Sequence, residues 1–161
     1  MRGIKFRAKN KRDEWCYGDL MHGNQYGDWI HETKTDVNYK IVPSTVGQFT
    51  GLYDCMRSEE YPRGRPIYEG DFVDFTESMY DGDEVIVQGR GYVKYDDNTA
   101  AFVIVNDGFI PFIDIGEMRV IGNVHDNAEL LNDEPRTLDG KRVKGLDAEK
   151  FEEIYNEDEG E

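Results

Sequence analysis

The chain has 161 residues, and its 34 Asp and Glu against 19 Lys and Arg give a formal net charge of −15 at pH 7. This length suits one domain, or one compact domain with appendages. The charge argues against direct nucleic-acid binding, which requires clustered Lys and Arg. Cys16 and Cys55 have no CxxC spacing, so we expect a reducing cytoplasm and neither a disulfide framework nor a zinc site. The sequence shows no signal peptide and no apolar run of the roughly 18 residues that span a bilayer.

The charges are unevenly distributed along the chain. Residues 126–161 contain 13 acidic and 5 basic residues, a net of −8 in less than a quarter of the sequence. No acid precedes Asp13, whereas Lys5, Arg7 and Lys9 alternate with apolar residues at the start. These patterns predict a solvated basic strand face at the beginning and an acidic tail at the end.

The first 42 residues have the pattern of short strands. Ile4, Phe6 and Ala8 recur with a period of two, and a second run follows through Trp15 and Leu20, which predicts a β-hairpin. Residues 26–31 and 39–42 are further strand candidates. The sequence therefore predicts a β-rich region over residues 1–66.

Residues 43–66 lack this periodicity. Ser44 can cap one helical turn, but Gly47 and Gly51 argue against a longer helix. Residues 57–66 are charged and contain Pro62, Gly64 and Pro66, which indicates an exposed loop.

The second half is more regular. Ile67, Phe72, Val73 and Phe75 surround a tight turn at Gly70, a residue type that takes a positive φ without steric cost. Strand candidates follow at residues 85–87, 91–95, 100–105, 109–115 and 118–124, separated by Asp, Gly or Asn. Short strands at this spacing predict a small SH3-like β-barrel over residues 67–131.

The strand pattern stops after residue 124. Residues 127–131 can form one helical turn, and Leu146, Phe151, Ile154 and Tyr155 fit one stripe of a short helix over residues 147–156. Residues 132–161 are thus predicted to be an acidic extension with a short C-terminal helix. Its apolar stripe requires cover from the barrel or from a neighbouring subunit.

Motifs that carry catalysis or bind cofactors do not occur in this sequence. His22, His31 and His125 have no second ligand at zinc-binding spacing, and no GxSxG or phosphate-binding glycine loop is present. The acidic cluster of Asp81, Asp83 and Glu84 does not fit an EF-hand loop. We therefore predict no catalytic, cofactor-binding or metal-binding residues, and a protein that is not an enzyme.

Tyrosines in expected loops are the main indication of an interaction role. Tyr53, Tyr61 and Tyr80 lie beside charged residues. Tyrosine in such positions buries a large area with little loss of entropy, which makes it frequent at binding surfaces. These three residues form the predicted interaction surface.

Four blocks of the sequence carry a family resemblance. The runs IKFRA at residues 4–8, VGQFTGL at 46–52, IYEGDFV at 67–73 and VIGNVHDNAELL at 120–131 are similar, in wording and order, to the YopX family of phage and prophage proteins. The resemblance covers about residues 1–131. It implies a phage or prophage origin, and hence a bacterial host cytoplasm, with a fold dominated by β-strands. It implies no activity and brings no catalytic residues.

Three functions are consistent with these observations. The leading hypothesis is a non-enzymatic binding or assembly module, which forms homo-oligomers or binds a host or phage protein. The alternative is an acidic protein whose carboxylates imitate DNA phosphates and inhibit a host DNA-binding protein. A third hypothesis, a metal-assisted hydrolase that uses scattered carboxylates, has the least support.

Overall fold

The computed structural model describes residues 3–81, 83–105 and 117–132, with the side chains of residues 77–88, 131 and 132 excepted. The chain is mainly β and divides into two compact units, residues 1–70 and residues 71–161. In the described ranges, the helical segments are the short 3-10 turns Pro43–Thr45 and Ala128–Asn132. None of the helices in these ranges is long and apolar enough to cross a bilayer.

The first unit contains a six-stranded antiparallel sheet. Its strands have the order β4-β3-β2-β1-β5-β6. Their bounds are β1 Phe6–Lys9, β2 Trp15–Met21, β3 Trp29–Glu32, β4 Val37–Lys40, β5 Gly47–Tyr53 and β6 Pro66–Tyr68. The predicted hairpin of β1 and β2 is present, with Arg7 opposite Tyr17 and Lys9 opposite Trp15.

One face of this sheet forms an apolar core, as the period of two predicts. Its fully buried members are Ala8, Cys16, Ile30 and Ile41. Partly buried side chains close its margin, namely Phe6, Leu20, Tyr39 and Val46.

The opposite face of β1 differs from the prediction. Arg7 and Lys9 are only 6% and 7% exposed, so the basic strand face is not solvated at these two positions. The reason is the hairpin register, which sets the rings of Trp15 and Tyr17 across from these cations. Lys5, in the same alternation, is exposed as expected.

The sequence does not predict strand β5, because residues 43–66 show no period of two. Gly51 has φ +89° and lies where the pairing of β5 with β6 shifts register between Phe49 and Tyr53. The glycine thus allows an irregularity within a strand instead of ending it. The predicted loop after β5 and the positive φ of Gly70 are both observed.

The second unit contains a four-stranded antiparallel sheet in the order β10-β7-β8-β9. The strands are β7 Asp71–Asp81, β8 Asp83–Asp96, β9 Ala101–Val105 and β10 Glu117–Asn123. A closed SH3-like barrel is not confirmed, because β9 and β10 are the edges of this sheet in the described residues. The strands predicted at 85–87 and 91–95 are one long strand, β8. The predicted strand at 109–115 and the predicted helix at 147–156 lie outside the described residues.

Apolar side chains on the second sheet agree with the prediction. Phe72, Val73 and Phe75 of β7 are almost completely buried. They are accompanied by Val93 of β8, by Ile104 of β9 and by Met118 of β10. The IYEGDFVDF segment is therefore a folding element that spans the two units.

Candidate interaction surface

Five aromatic side chains form a row on the face of the first sheet opposite its apolar core. We call the aromatic row the set Trp15, Tyr17, Tyr68, Phe49 and Tyr53. The ring centroids of Tyr17 and Tyr68 are 5.8 Å apart, those of Tyr68 and Phe49 5.5 Å, and those of Phe49 and Tyr53 5.5 Å. Tilted and edge-on pairs at these distances each stabilise by about 0.5 to 1.5 kcal/mol beyond their area burial.

Arg7 joins Trp15 to the rest of the row. Its guanidinium carbon lies 4.7 Å from the ring centroid of Trp15 and 5.0 Å from that of Tyr68. Its Nη2 donates to the carbonyl oxygen of Glu69 at 3.3 Å. A cation between two rings and with little contact to water stabilises by roughly 2 kcal/mol or more per favourable ring pair. Arg7 therefore stabilises the positions of the Trp15 and Tyr68 rings.

Lys9 supports the same end of the row. Its ammonium group lies 5.5 Å from the centroid of Trp15 and forms an ion pair with Asp13 at 2.8 Å. Asp13 lies in the turn between β1 and β2, where its φ is +66°. The ion pair therefore links the Lys9 side chain to this turn. The basic residues of β1 are thus part of the packing of this surface.

The row is buried at Tyr68 and accessible on either side of it. Tyr68 is only 6% exposed, whereas Tyr17 and Tyr53 are 47% and 45% exposed. A large aromatic ring that packs on its neighbours with one face and is exposed to water on the other loses little conformational entropy when a partner covers it. Tyr17 and Tyr53 consequently have the properties of anchor residues.

A structured loop continues the surface directly after Tyr53. We call residues 54–65 the Asp54 loop, because the carboxylate of Asp54 closes it. Asp54 Oδ1 accepts the backbone N–H of Met56 at 3.2 Å and that of Arg65 at 2.7 Å, and the Asp54 N–H donates to the Arg65 carbonyl at 2.8 Å. Gly64 has φ +93°, and a Cβ there would collide with the carbonyl oxygen of Asp54. The hydrogen bonds of Asp54 and the close approach of Gly64 therefore hold the two ends of the loop together. A substitution at either residue would disturb this contact.

The exposed side chains of the Asp54 loop are of the types that occur in interfaces. Met56 is 50% exposed, and Tyr61 lies under the guanidinium of Arg65 at 5.5 Å. Partial burial raises the pKa of the Tyr61 hydroxyl, and the hydrogen bond and charge of Glu60 raise it further. Tyr61 is thus a neutral hydrogen-bonding group at every physiological pH. Arg57 and Arg63 are also exposed.

Two of the three predicted tyrosines belong to this surface. Tyr53 lies at the end of strand β5 rather than in the expected loop, and Tyr61 lies in the Asp54 loop. The fold brings both to the same region of the first unit. Tyr80 is in β7 of the second unit rather than in a loop, and its side chain is outside the described set.

Sequence reasoning missed Trp15, Tyr17, Phe49 and Tyr68. The available signal was the parity of the hairpin, because Trp15 and Tyr17 share a face with Arg7 and Lys9 once the strands are paired. Phe49 and Tyr68 could not be added, because β5 was not recognised as a strand. Their contact depends on the pairing of Phe49 with Tyr68 between β5 and β6.

The described side chains provide no metal centre. No three His, Cys, Asp or Glu side chains lie close enough to hold an ion in the parts of the chain for which side chains are described. Asp81, Asp83 and Glu84 fall outside that set.

Cys16 is buried in the core, where desolvation, followed by the charges of Glu14 and Glu32, raises the pKa of its thiol.

A family model described as YopX protein matches residues 5–132, which is most of the chain. No curated protein and no solved structure matches it.

Proposed function

We propose that this chain, which belongs to the YopX family, is a non-enzymatic binding or assembly module of a phage or prophage. The observation that carries the proposal is the aromatic row, whose exposed members Tyr17 and Tyr53 rest on packed neighbours. The family resemblance supports the phage origin and hence a role in the bacterial host cytoplasm.

The chemistry of this surface favours recognition of a protein. Tyrosine, tryptophan, arginine and methionine are the residue types enriched at protein interfaces and their hot spots. Here Tyr17, Tyr53, Met56 and Tyr61 supply the accessible atoms. The cation–π contacts of Arg7 and the closure of the Asp54 loop fix the surface before binding. A fixed surface loses less conformational entropy on association and so binds more tightly for a given area.

Affinity capture from the bacterial host tests this proposal. The tagged full chain is compared with a Tyr17→Ala/Tyr53→Ala variant and with a Tyr26→Ala control, since Tyr26 is 68% exposed and not part of the row. The proposal predicts a protein retained by the wild type and by the control but lost by the double variant. Retention that is identical for all three proteins, or no retained protein and no self-association, would contradict it.

A second function is favoured by the charge of the second unit. Residues 71–161 contain 24 Asp and Glu and 8 Lys and Arg, a net of −16. Such an excess of carboxylates could compete with DNA phosphates for a basic host protein. The test is displacement of DNA from host nucleoid or restriction proteins at low salt. Absence of any displacement would remove this candidate without affecting the aromatic row.

A further inference from the structure

The charge of the molecule is divided between its two units. Residues 1–70 contain 11 Lys and Arg and 10 Asp and Glu, a net of +1, whereas residues 71–161 have a net of −16. We propose that the occupant of the aromatic row and Asp54 loop is the acidic second unit of another copy of this chain. This inference rests on the proposed binding function and names the partner.

Uncompensated arginines in the Asp54 loop support an acidic occupant. Arg57, Arg63 and Arg65 are all exposed, and no carboxylate in the described ranges forms an ion pair with them. Arginine presents a planar fork that binds carboxylates in a bidentate manner, and it is favoured at interfaces for this reason. In a chain with a large excess of acids, three such groups in one short loop form a distinct docking feature.

Carboxylates that could meet these arginines are present on the second unit. Asp97, Glu117 and Glu129 are exposed, and in the described part of the chain none of them is in an ion pair. A contact between the loop of one copy and these acids of another joins different units. It can be made twice in a reciprocal twofold dimer, or repeated from copy to copy in a ring or an open chain.

The arrangement of charges favours a protein over nucleic acid as the occupant. Glu59 and Glu60 lie between Arg57 and Arg63 and leave the exposed charge of the loop at +1. A nucleic-acid backbone carries a charge at every step and would meet these glutamates, whereas a protein surface offers separate carboxylates and apolar groups for Tyr53 and Met56. Repulsion between the net charges of two copies is screened beyond about 8 Å at physiological ionic strength. The charges at the contact itself therefore determine whether two copies associate.

Sedimentation velocity of the full chain at about 0.1 M and about 1 M salt tests the inference, because the Debye length falls from about 10 Å to about 3 Å over this range. We expect self-association at low salt that weakens at high salt. Arg57→Glu/Arg63→Glu should reduce the association constant at least about tenfold, as expected for loss of close charge pairs. The control Lys11→Glu/Lys34→Glu makes the same change in net charge at exposed cations and should have a much smaller effect.

A charge exchange between units completes the test. Glu117→Lys/Glu129→Lys alone should also weaken association, whereas an equal mixture of this variant with Arg57→Glu/Arg63→Glu should restore it, because each copy then meets its complement. A monomeric wild type at low salt, association independent of salt, or a mixture that remains dissociated would overturn the inference. A host protein still captured through Tyr17 and Tyr53 would then preserve the proposed binding function. Binding of a single-stranded oligonucleotide by the loop would overturn the choice of occupant.

Discussion

At the scale of single residues, a buried carboxylate connects three strands of the second sheet. Asp74 of β7 is only 2% exposed and lies between Arg90 of β8 and Arg119 of β10. Arg90 donates to it through Nε at 2.7 Å and Nη2 at 3.2 Å, and Arg119 through Nη2 at 3.0 Å. These residues are up to 45 positions apart in sequence, so only the strand register reveals the cluster.

We predict that Asp74→Asn strongly destabilises the protein. The amide keeps the shape but removes the charge that two guanidinium groups share, and breaking a buried ion pair costs about 3 to 5 kcal/mol. The measurement is the free energy of unfolding in urea, with Asp97→Asn as a control at an exposed turn position. Equal unfolding free energies for the two variants would show that the ion pairs of Asp74 do not stabilise the fold.

The two cysteines should differ in reactivity. Burial, together with the charges of Glu14 and Glu32, raises the pKa of Cys16, so its reactive thiolate appears only at higher pH than for an ordinary thiol. Cys55 is exposed in the Asp54 loop. With iodoacetamide at neutral pH, mass spectrometry of peptides should show rapid modification of Cys55 and modification of Cys16 only after unfolding. Similar rates in the native protein would contradict the burial of Cys16.

At the scale of elements, the sequence predicted regular alternation well and irregular strands poorly. The β1–β2 hairpin follows from a period of two, whereas β5 shows no such period and glycines led the sequence to predict two strands in place of β8. At Gly89 a Cβ would lie 2.6 Å from Cζ of Phe75, so this glycine makes room for a ring within a continuous strand. Composition alone does not distinguish a glycine that ends a strand from one that accommodates packing.

Only part of the candidate surface could be predicted from the sequence, because most of it depends on how the strands pair. Tyr53 and Tyr61 were found from residue type and from the charged residues around them. The rest of the aromatic row depends on which strands are neighbours, since Tyr17 meets Tyr68, and Arg7 joins Trp15 to Tyr68, through the order β2-β1-β5-β6. Long-range pairing of this kind leaves no local pattern in the sequence.

Closure of the Asp54 loop can be tested by proteolysis. Asp54→Ala removes the acceptor of two backbone N–H groups, and losing two hydrogen bonds of about 1 kcal/mol each should make local opening roughly ten- to thirtyfold more frequent. Trypsin should then cleave after Arg57 and Arg63 faster by a similar factor. Glu59→Ala is the matched control, because Glu59 is exposed and has no hydrogen bond in the described set. Unchanged cleavage in Asp54→Ala would show that other contacts close the loop.

At the scale of the whole molecule, the net charge of −15 conceals two different units. The first unit is nearly neutral and presents aromatic rings and arginines, and the second unit carries the acidic excess. The negative charge that disfavours nucleic-acid partners is therefore concentrated in the second unit. In the first unit, the aromatic row and the mixed charges of the Asp54 loop favour a protein partner.

The affinity of the chain for its retained partner, whether a host protein or a second copy, tests the central claim most directly. Titration calorimetry would compare the dissociation constants of wild type, Tyr53→Ala and Tyr26→Ala. Loss of an interface anchor costs about 2 kcal/mol or more, so Tyr53→Ala should bind at least about thirtyfold more weakly. Tyr26→Ala should remain within about twofold of wild type, as expected for a residue outside the interface. Equal affinities of Tyr53→Ala and wild type would contradict the account.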